Sequence, residues 1–298
     1  MKLFDAIAGL VVFGTWIYSL LSIVAAFYHR WTGRRTPASK MDPISVLKPL
    51  AGVEPSLEEN LRSFFEQTYP NFELLFAVRE ADDAAVPLVR RLQTEYPAVR
   101  SRLLITGEPP YANAKVFSLS VMTAAAAHDL LVTSDSDVRV TKDFLWRIAG
   151  ELTADTYDLA TCAYRAVPGR HIWSLFEALG INTEFWSSAF VAKLLEGVRF
   201  TVGPTVILRR AVCNAIPWDS LSGYLAEDFI LGQRAAEAGF RVDISQQVVD
   251  HHLSDETAVH NFEHRLRWAR STRRSRPWGY LGMVFTNPLP LSLLFVAL

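Results

Sequence analysis

Residues 130–137 read LLVTSDSD, an apolar run that ends in two carboxylates one position apart, Asp135 and Asp137. A short run of this kind, following a helical pattern, reads as a buried strand. In open α/β sheets ligands gather beyond the carboxyl ends of the strands, and the two acids fall there. Two carboxylates at a chain turn can share one divalent cation. Hard oxygen ligands suit Mg²⁺ or Mn²⁺, ions that neutralise a diphosphate.

Working back toward the N-terminus, strands and helices alternate. Residues 44–50 (ISVLKPL) form a β-rich run, and 57–67 (LEENLRSFFEQ) show helical spacing opened by Ser56. Residues 72–78 (FELLFAV) lead to a helix over 86–96, and a strand over 102–106 leads to a helix over 115–128. The alternation predicts an α/β fold: right-handed crossovers and a mainly parallel, Rossmann-like sheet with helices on both faces. FELLFAV runs into Arg79, Glu80, Ala81, Asp82 and Asp83, acids at a second strand end, for which a solvated helix-capping turn is the plain alternative. Lys115 opens a helix within Asn113-Ala-Lys115 and is placed to approach phosphate, and Lys48 is a weaker candidate.

Toward the C-terminus, residues 224–231 (YLAEDFIL) set Glu227 and Asp228 at the start of a helical run. Either acid could serve as a general base, which needs a carboxylate beside the reacting hydroxyl, or simply complement the positive end of the helix. Spacing does not separate them. His251 and His252 follow a strand-like run through Val248 and Val249, where His252 could add a ligand to a metal on Asp135 and Asp137. His264, Arg267 and Trp268 lie on a helix beginning near Val259. That helix suits a basic surface attracted to anionic lipid, with one arginine facing a diphosphate.

The chain has 298 residues, a net charge of -1, 20% charged residues and a mean hydropathy of +0.14. With no basic field, nucleic acid is excluded as a partner. Cys162 and Cys213 have no metal-ligand spacing and read as packing residues in a reducing compartment. The apolar excess sits at the ends. Residues 6–28 are uncharged and long enough to cross a bilayer, longer than the core of a signal peptide. His29, Arg30, Arg34, Arg35 and Lys40 follow them while Lys2 and Asp5 precede, an imbalance that holds the following domain in the cytoplasm. Six arginines (Arg265, Arg267, Arg270, Arg273, Arg274 and Arg276) precede the apolar tail 278–298, which contains Pro288 and Pro290 and reads as a re-entrant segment or an incomplete C-terminus. The expected organisation is a transmembrane helix at 1–30, a basic juxtamembrane linker at 31–42 and a catalytic domain at 43–250. A donor-closing, membrane-interfacial helix at 251–277 and an apolar membrane segment at 278–298 follow.

SVLKPLAGVEPSLEENL (45–61), the pair Asp82-Asp83, SDSDVRV (134–140), AED (226–228) and the RW of Arg267-Trp268 occur in that order. Together they resemble the ceramide glucosyltransferases and their bacterial hopanoid-associated relatives, family-2-like glycosyltransferases of GT-A fold. The resemblance runs from about 42 to 276 and includes the leading membrane helix. It implies an inverting enzyme that moves glucose or a related sugar from a UDP-sugar donor to a lipid hydroxyl, ceramide or hopanoid, at the cytoplasmic membrane face, with Mn²⁺ or Mg²⁺. Its partners are the donor, the lipid acceptor and the bilayer. Carried over residue by residue, Asp83 lies near the uracil or ribose, Asp135 is the second donor-binding aspartate, Asp137 adds a metal carboxylate and Asp228 is the base. Arg267 and Trp268 close the donor pocket near the diphosphate. His264 stands where the family has Gln or Arg, and Asp137 where the ceramide enzymes commonly carry Gly. A processive polysaccharide synthase and a catalytically silent membrane scaffold are the rival readings.

Overall fold

The computed structural model describes residues 2–33, 42–153, 157–255, 257–275, 277 and 280. The basic linker at 34–41 and, Tyr280 apart, the apolar tail at 278–298 lie outside the described residues. In chain order the elements begin with α1 (Lys2–Thr32), β1 (Ile44–Pro49), α2 (Leu57–Phe65), β2 (Phe72–Val78), α3 (Ala85–Glu95) and β3 (Arg100–Ile105). Next come α4 (Ala114–Ala125), β4 (Leu130–Ser134), β5 (Val138–Arg139), α5 (Phe144–Thr153), β6 (Leu159–Val167) and α6 (Ile172–Gly180). A π-helical turn (Ile181–Phe185) joins α6 to α7 (Trp186–Glu196), followed by β7 (Thr205–Arg209) and α8 (Arg210–Ala215). A 3-10 turn (Trp218–Leu221), α9 (Glu227–Glu237), β8 (Val242–His252) and α10 (Ala258–Ser275) complete the order. The chain divides into two compact units. One is Met1–Thr32, Arg170–Gly197 and Asp255–Leu298; the other is Gly33–Gly169 and Val198–Ser254.

The second unit is built on an eight-stranded sheet of order β3-β2-β1-β4-β7-β6-β8-β5. Its first four strands are parallel. Buried on nearly every residue, β1, β2 and β4 show the continuous apolar runs expected of central parallel strands. Strand order reverses between β1 and β4, which opens a ligand crevice at their carboxyl ends. Beyond β4 the sheet is mixed rather than mainly parallel. There β7 runs antiparallel to both β4 and β6, β6 and β8 are parallel, and β5 is antiparallel to β8. The antiparallel ladder of β4 and β7 extends one step past β4, where Asp135 N donates to Pro204 O at 2.9 Å.

Two helix ends depart from the sequence reading. Ser56 stands at the N-cap of α2 but makes no side-chain cap bond. Helix α4 stops at Ala125, not at 128, because sheet side chains take the next amides: Glu73 Oε1 accepts from Ala127 N at 2.6 Å and Ser45 Oγ from His128 N at 3.2 Å. The core under the crevice joins Leu47, Leu75, Leu131, Val206, Leu208 and Leu231.

In the first unit, Val12–Thr32 of α1 is 21 residues long with mean hydropathy 1.4, long and apolar enough to cross a membrane. Helix α7 packs on α1 near its C-terminal end. His29 stacks on Phe190 at 4.7 Å and its Nδ1 lies 3.2 Å from Lys193 Nζ. Asp255 Oδ1 accepts from the amides of Arg170 and His171 ahead of α6.

Candidate active site

The end of β4 and the turn to β5 carry the two aspartates of the opening motif. Asn60, buried on α2, orders that turn by donating Nδ2 to Ser136 O at 3.2 Å and accepting Arg139 Nε at 3.2 Å. Lys48 lies on β1 with its side chain fully buried. Its Nζ sits 4.0 Å from the centroid of the Phe64 ring and donates to Asp135 O at 2.6 Å and Ser134 Oγ at 3.3 Å. Burial lowers the Lys48 ammonium to about 7, with Asp135 and Asp137 pulling the other way. A lysine inside an otherwise apolar strand was the available signal, and its partner became visible only once β4 lay beside β1.

Lys115, at the start of α4, bridges two acids. Its Nζ is 2.8 Å from Asp135 Oδ1 and 3.5 Å from Glu227 Oε1. Burial alone would lower the ammonium, but Asp135 and Glu227 hold it above its ordinary value. Burial, then the neighbouring Asp137, raises the Asp135 carboxyl against the opposing pull of Lys115. Asp137 is also penalised by burial, yet His251, joined by Lys48 and Lys115, holds its carboxyl below the ordinary range. The contact is direct, His251 Nε2 to Asp137 Oδ2 at 2.9 Å, and arises because β5 pairs Val138 with His251 on β8. His252, the expected metal ligand, donates its backbone N to Asp137 O at 2.9 Å. Its Nε2 and Asp137 Oδ1 are both buried without a hydrogen-bond partner. Burial, then Arg139, lowers the His252 imidazole, favouring its neutral form. Among the described residues, no three His, Cys, Asp or Glu side chains cluster as metal ligands.

The structure separates the two acids at the start of α9. Glu227 faces Lys115, whereas no ion pair among the described residues reaches Asp228. Asp228 Oδ1 accepts from Phe229 N at 2.8 Å, and its backbone O accepts from Thr201 Oγ1 at 2.6 Å. A Cβ on Gly203 would stand 3.0 Å from Asp228 Oδ2, so the glycine leaves that oxygen its space. Burial first, then Glu227, pushes the Asp228 carboxyl up to about 6. Four carboxylates (Asp135, Asp137, Glu227 and Asp228) thus face two ammonium groups, Lys48 and Lys115, and the His251 imidazole, so the acids outnumber the bases by one.

Asp83 lies apart from this cluster, in a cleft of about 380 Å³ lined by Leu50, Ala51, Arg79, Glu80, Asp82 and Asp83. Both its oxygens accept from Gly52 N at 3.1 Å, and Oδ1 accepts from Ala85 N at 2.8 Å. Gly52 has φ 67°, a left-handed conformation that favours glycine and turns its amide toward the acid. The loop it belongs to also carries Glu54, a residue absent from the sequence reading. Burial, then Asp137, raises the Glu54 carboxyl.

His264, Arg267 and Trp268 lie on α10, in the first unit. His264 Nδ1 meets Glu177 Oε1 of α6 at 2.9 Å, and Asn261 Nδ2 donates to Glu177 Oε2 at 2.7 Å. Trp268 lies against the His264 ring at 4.8 Å and Phe185 at 6.4 Å, while Arg267 is exposed. Glu177, the one acid in an otherwise apolar helix, was not singled out from the sequence, though its isolation there was visible.

Residues 14–298 match the family model described as Glycosyl transferase family 21. The chain is 28% identical over 261 residues to ceramide glucosyltransferase 1 of Caenorhabditis elegans, covering 84% of this chain and 54% of that protein. It is 27% identical over 255 residues to ceramide glucosyltransferase 3 of the same organism, covering 84% and 55%. The chain therefore spans about half the length of these relatives. Among solved structures, it resembles a mannosyltransferase from Pyrobaculum calidifontis in complex with GDP-Man and Mn²⁺, with a TM-score of 0.61 at 17% identity, covering 90% of this chain and 74% of the other. It also resembles residues 1–349 of S. aureus TarS in complex with UDP-GlcNAc, with a TM-score of 0.52 at 15% identity, covering 78% and 66%. These two likenesses show the fold, the GT-A-like α/β sheet.

Proposed function

The chain belongs to glycosyl transferase family 21, and from that membership we propose that it is an inverting hexosyltransferase acting on a UDP-sugar and a membrane lipid hydroxyl. The observation that carries the reading is the division of labour at the start of α9. Lys115 pairs directly with Glu227 and Asp135 and acts on Asp228 only at longer range, which leaves Asp228 with no ion pair among the described residues and a carboxyl near 6. Such a group is ionised at neutral pH and still basic enough to take a proton.

In the proposed step Asp228 accepts the proton of the lipid hydroxyl as its oxygen bonds to the anomeric carbon. The bond from that carbon to the UDP oxygen breaks on the opposite side. The products are a β-glycoside, UDP and a protonated Asp228. Lys115 orients the donor diphosphate, its charge shared with Asp135. Asp83 and its cleft hold the uridine end. Asp137 and His252 would hold a divalent cation through Oδ1 and Nε2, buried atoms without a hydrogen-bond partner; Asp135, the expected third ligand, is engaged by Lys115 and does not cluster with them as a ligand set among the described residues. When bound, Mn²⁺ or Mg²⁺ neutralises charge on the leaving diphosphate.

The names of the relatives favour glucose and ceramide, with a hopanoid hydroxyl as the alternative acceptor. The length and apolar character of α1 support an anchoring role, and the excess of basic residues after it favours a cytoplasmic catalytic unit. The test is to incubate membranes bearing the chain with labelled UDP-glucose, UDP-N-acetylglucosamine and GDP-mannose, then identify the lipid product by mass spectrometry. One hexose added to a ceramide or hopanoid from UDP-glucose supports the reading. Label released only as free sugar, or transferred only from GDP-mannose, refutes it.

A further inference from the structure

Helix α6 has its polarity reversed relative to a surface helix in water. At about 100° per residue, Ile172, Trp173, Leu175, Phe176 and Leu179 fall within an arc of about 160°. All five are exposed, from 42% at Trp173 to 58% at Ile172. The opposite arc holds Ser174, Glu177 and Ala178, all buried. A helix at a water boundary normally turns its apolar stripe inward and its charges out.

The inward side is held by α10, through Asn261 and His264 on Glu177 and through Arg265 Nη2 on Phe176 O at 3.1 Å. On α10, Val259, Phe262 and Leu266 recur at i, i+3 and i+7 and are exposed, lying away from the side that carries Asn261 and His264. The same stripe continues into Arg270 and Arg273. Eight large apolar side chains on two paired helices exceed the scatter of single exposed residues on a soluble surface.

We propose that α6 and the apolar stripe of α10 form a monotopic membrane element, inserted at the boundary between headgroups and acyl chains of the leaflet from which α1 emerges. The proposal rests on the anchoring of α1 stated above. Three observations favour lipid over another protein surface. First, the helical run of α6, the π-turn and α7 is continuous, and α7 meets α1 at His29, close to the end of its apolar window. Second, α10 carries Arg265, Arg267, Arg270, Arg273 and Arg274 against the single acid Glu263, which suits anionic headgroups. Third, the exposed arc of α6 bears no charge and includes Trp173, a residue type that favours the interface.

The test uses the full chain in vesicles of phosphatidylcholine and phosphatidylglycerol at about 3:1, a mixture chosen for its anionic surface. Single cysteines at Phe176→Cys, Leu20→Cys and Thr94→Cys carry an environment-sensitive fluorophore; Cys162 and Cys213 are buried and stay unlabelled. The expected result is that the probe at 176 loses most of its emission to lipids with a nitroxide high on the acyl chain, and little to a water-soluble quencher. The probe at 20 should be quenched by nitroxides deep in the chain, and that at 94 only from water. A probe at 176 quenched only from water overturns the proposal. So does one shielded from both quenchers, which would place a second copy or residues 281–298 over the face. Either result with a lipid-quenched probe at 20 leaves the anchor reading intact, whereas loss of lipid quenching at 20 as well refutes the anchor itself.

Discussion

Asp228→Asn keeps the size of the side chain and removes its capacity to take a proton, so it separates chemistry from binding. General-base contributions are about 10²–10⁴-fold in rate, and a loss of that size is expected with UDP-sugar affinity nearly unchanged. The pH profile supplies the independent signature. With a carboxyl near 6 the base is mostly ionised at pH 7, and kcat/KM of the wild type should fall about tenfold per unit as pH drops below 6. That limb should vanish from the residual rate of the variant. Stability moves in a related way. A carboxyl raised by burial favours the fold most when protonated, and that advantage is lost as pH rises from its ordinary range through about 6. At neutral pH, therefore, Asp228→Asn should unfold at a temperature no lower than the wild type. The assay is lipid-product turnover at saturating donor, with UDP binding by calorimetry and thermal unfolding on the same preparations. Near-normal turnover by Asp228→Asn alongside a dead Glu227→Gln would reverse the two roles and refute the reasoning.

Lys115→Met removes the cation that opposes the rise of the Asp228 carboxyl, so its acid limb should move to higher pH while KM for the donor increases; an unmoved limb would detach Lys115 from the site. Asp137→Ala should weaken metal-dependent UDP binding, and EDTA should abolish wild-type transfer until Mn²⁺ is restored; identical Mn²⁺ titrations of the variant and wild type would remove Asp137 as a ligand. In Gly232→Ala the new Cβ would stand 2.3 Å from backbone atoms of Phe200 and Thr201, so α9 must shift. Overpacking of this kind costs about 1–3 kcal/mol, to be read as a lower unfolding midpoint together with lost turnover.

The parallel half of the sheet was legible because each central strand is a bounded apolar run, and the acids at its strand ends named the crevice before any distance was known. The remainder was harder for physical reasons. Strand β8 breaks its own alternation, with a register shift opposite Cys162 and Ala163 that sets Gln246 and Gln247 out of step. The antiparallel pairing of β7 with β4 joins residues more than seventy positions apart and has no local pattern. Glu227 and Asp228 look alike in sequence, and only the approach of Lys115 from α4, more than a hundred residues earlier, distinguishes them. His251 and His252 are likewise equivalent on paper. The pairing of β5 with β8 puts the His251 ring on Asp137 and leaves His252 Nε2 without a partner.

The central claim, a single displacement in which Asp228 deprotonates the lipid hydroxyl, is tested most directly by the anomeric configuration of the new glycoside. UDP-glucose carries its sugar in the α configuration, so lipid product from wild-type membranes should be β-linked, as read from the coupling of its anomeric proton by NMR. An α-linked product would require two displacements or a front-face route, and would contradict the account.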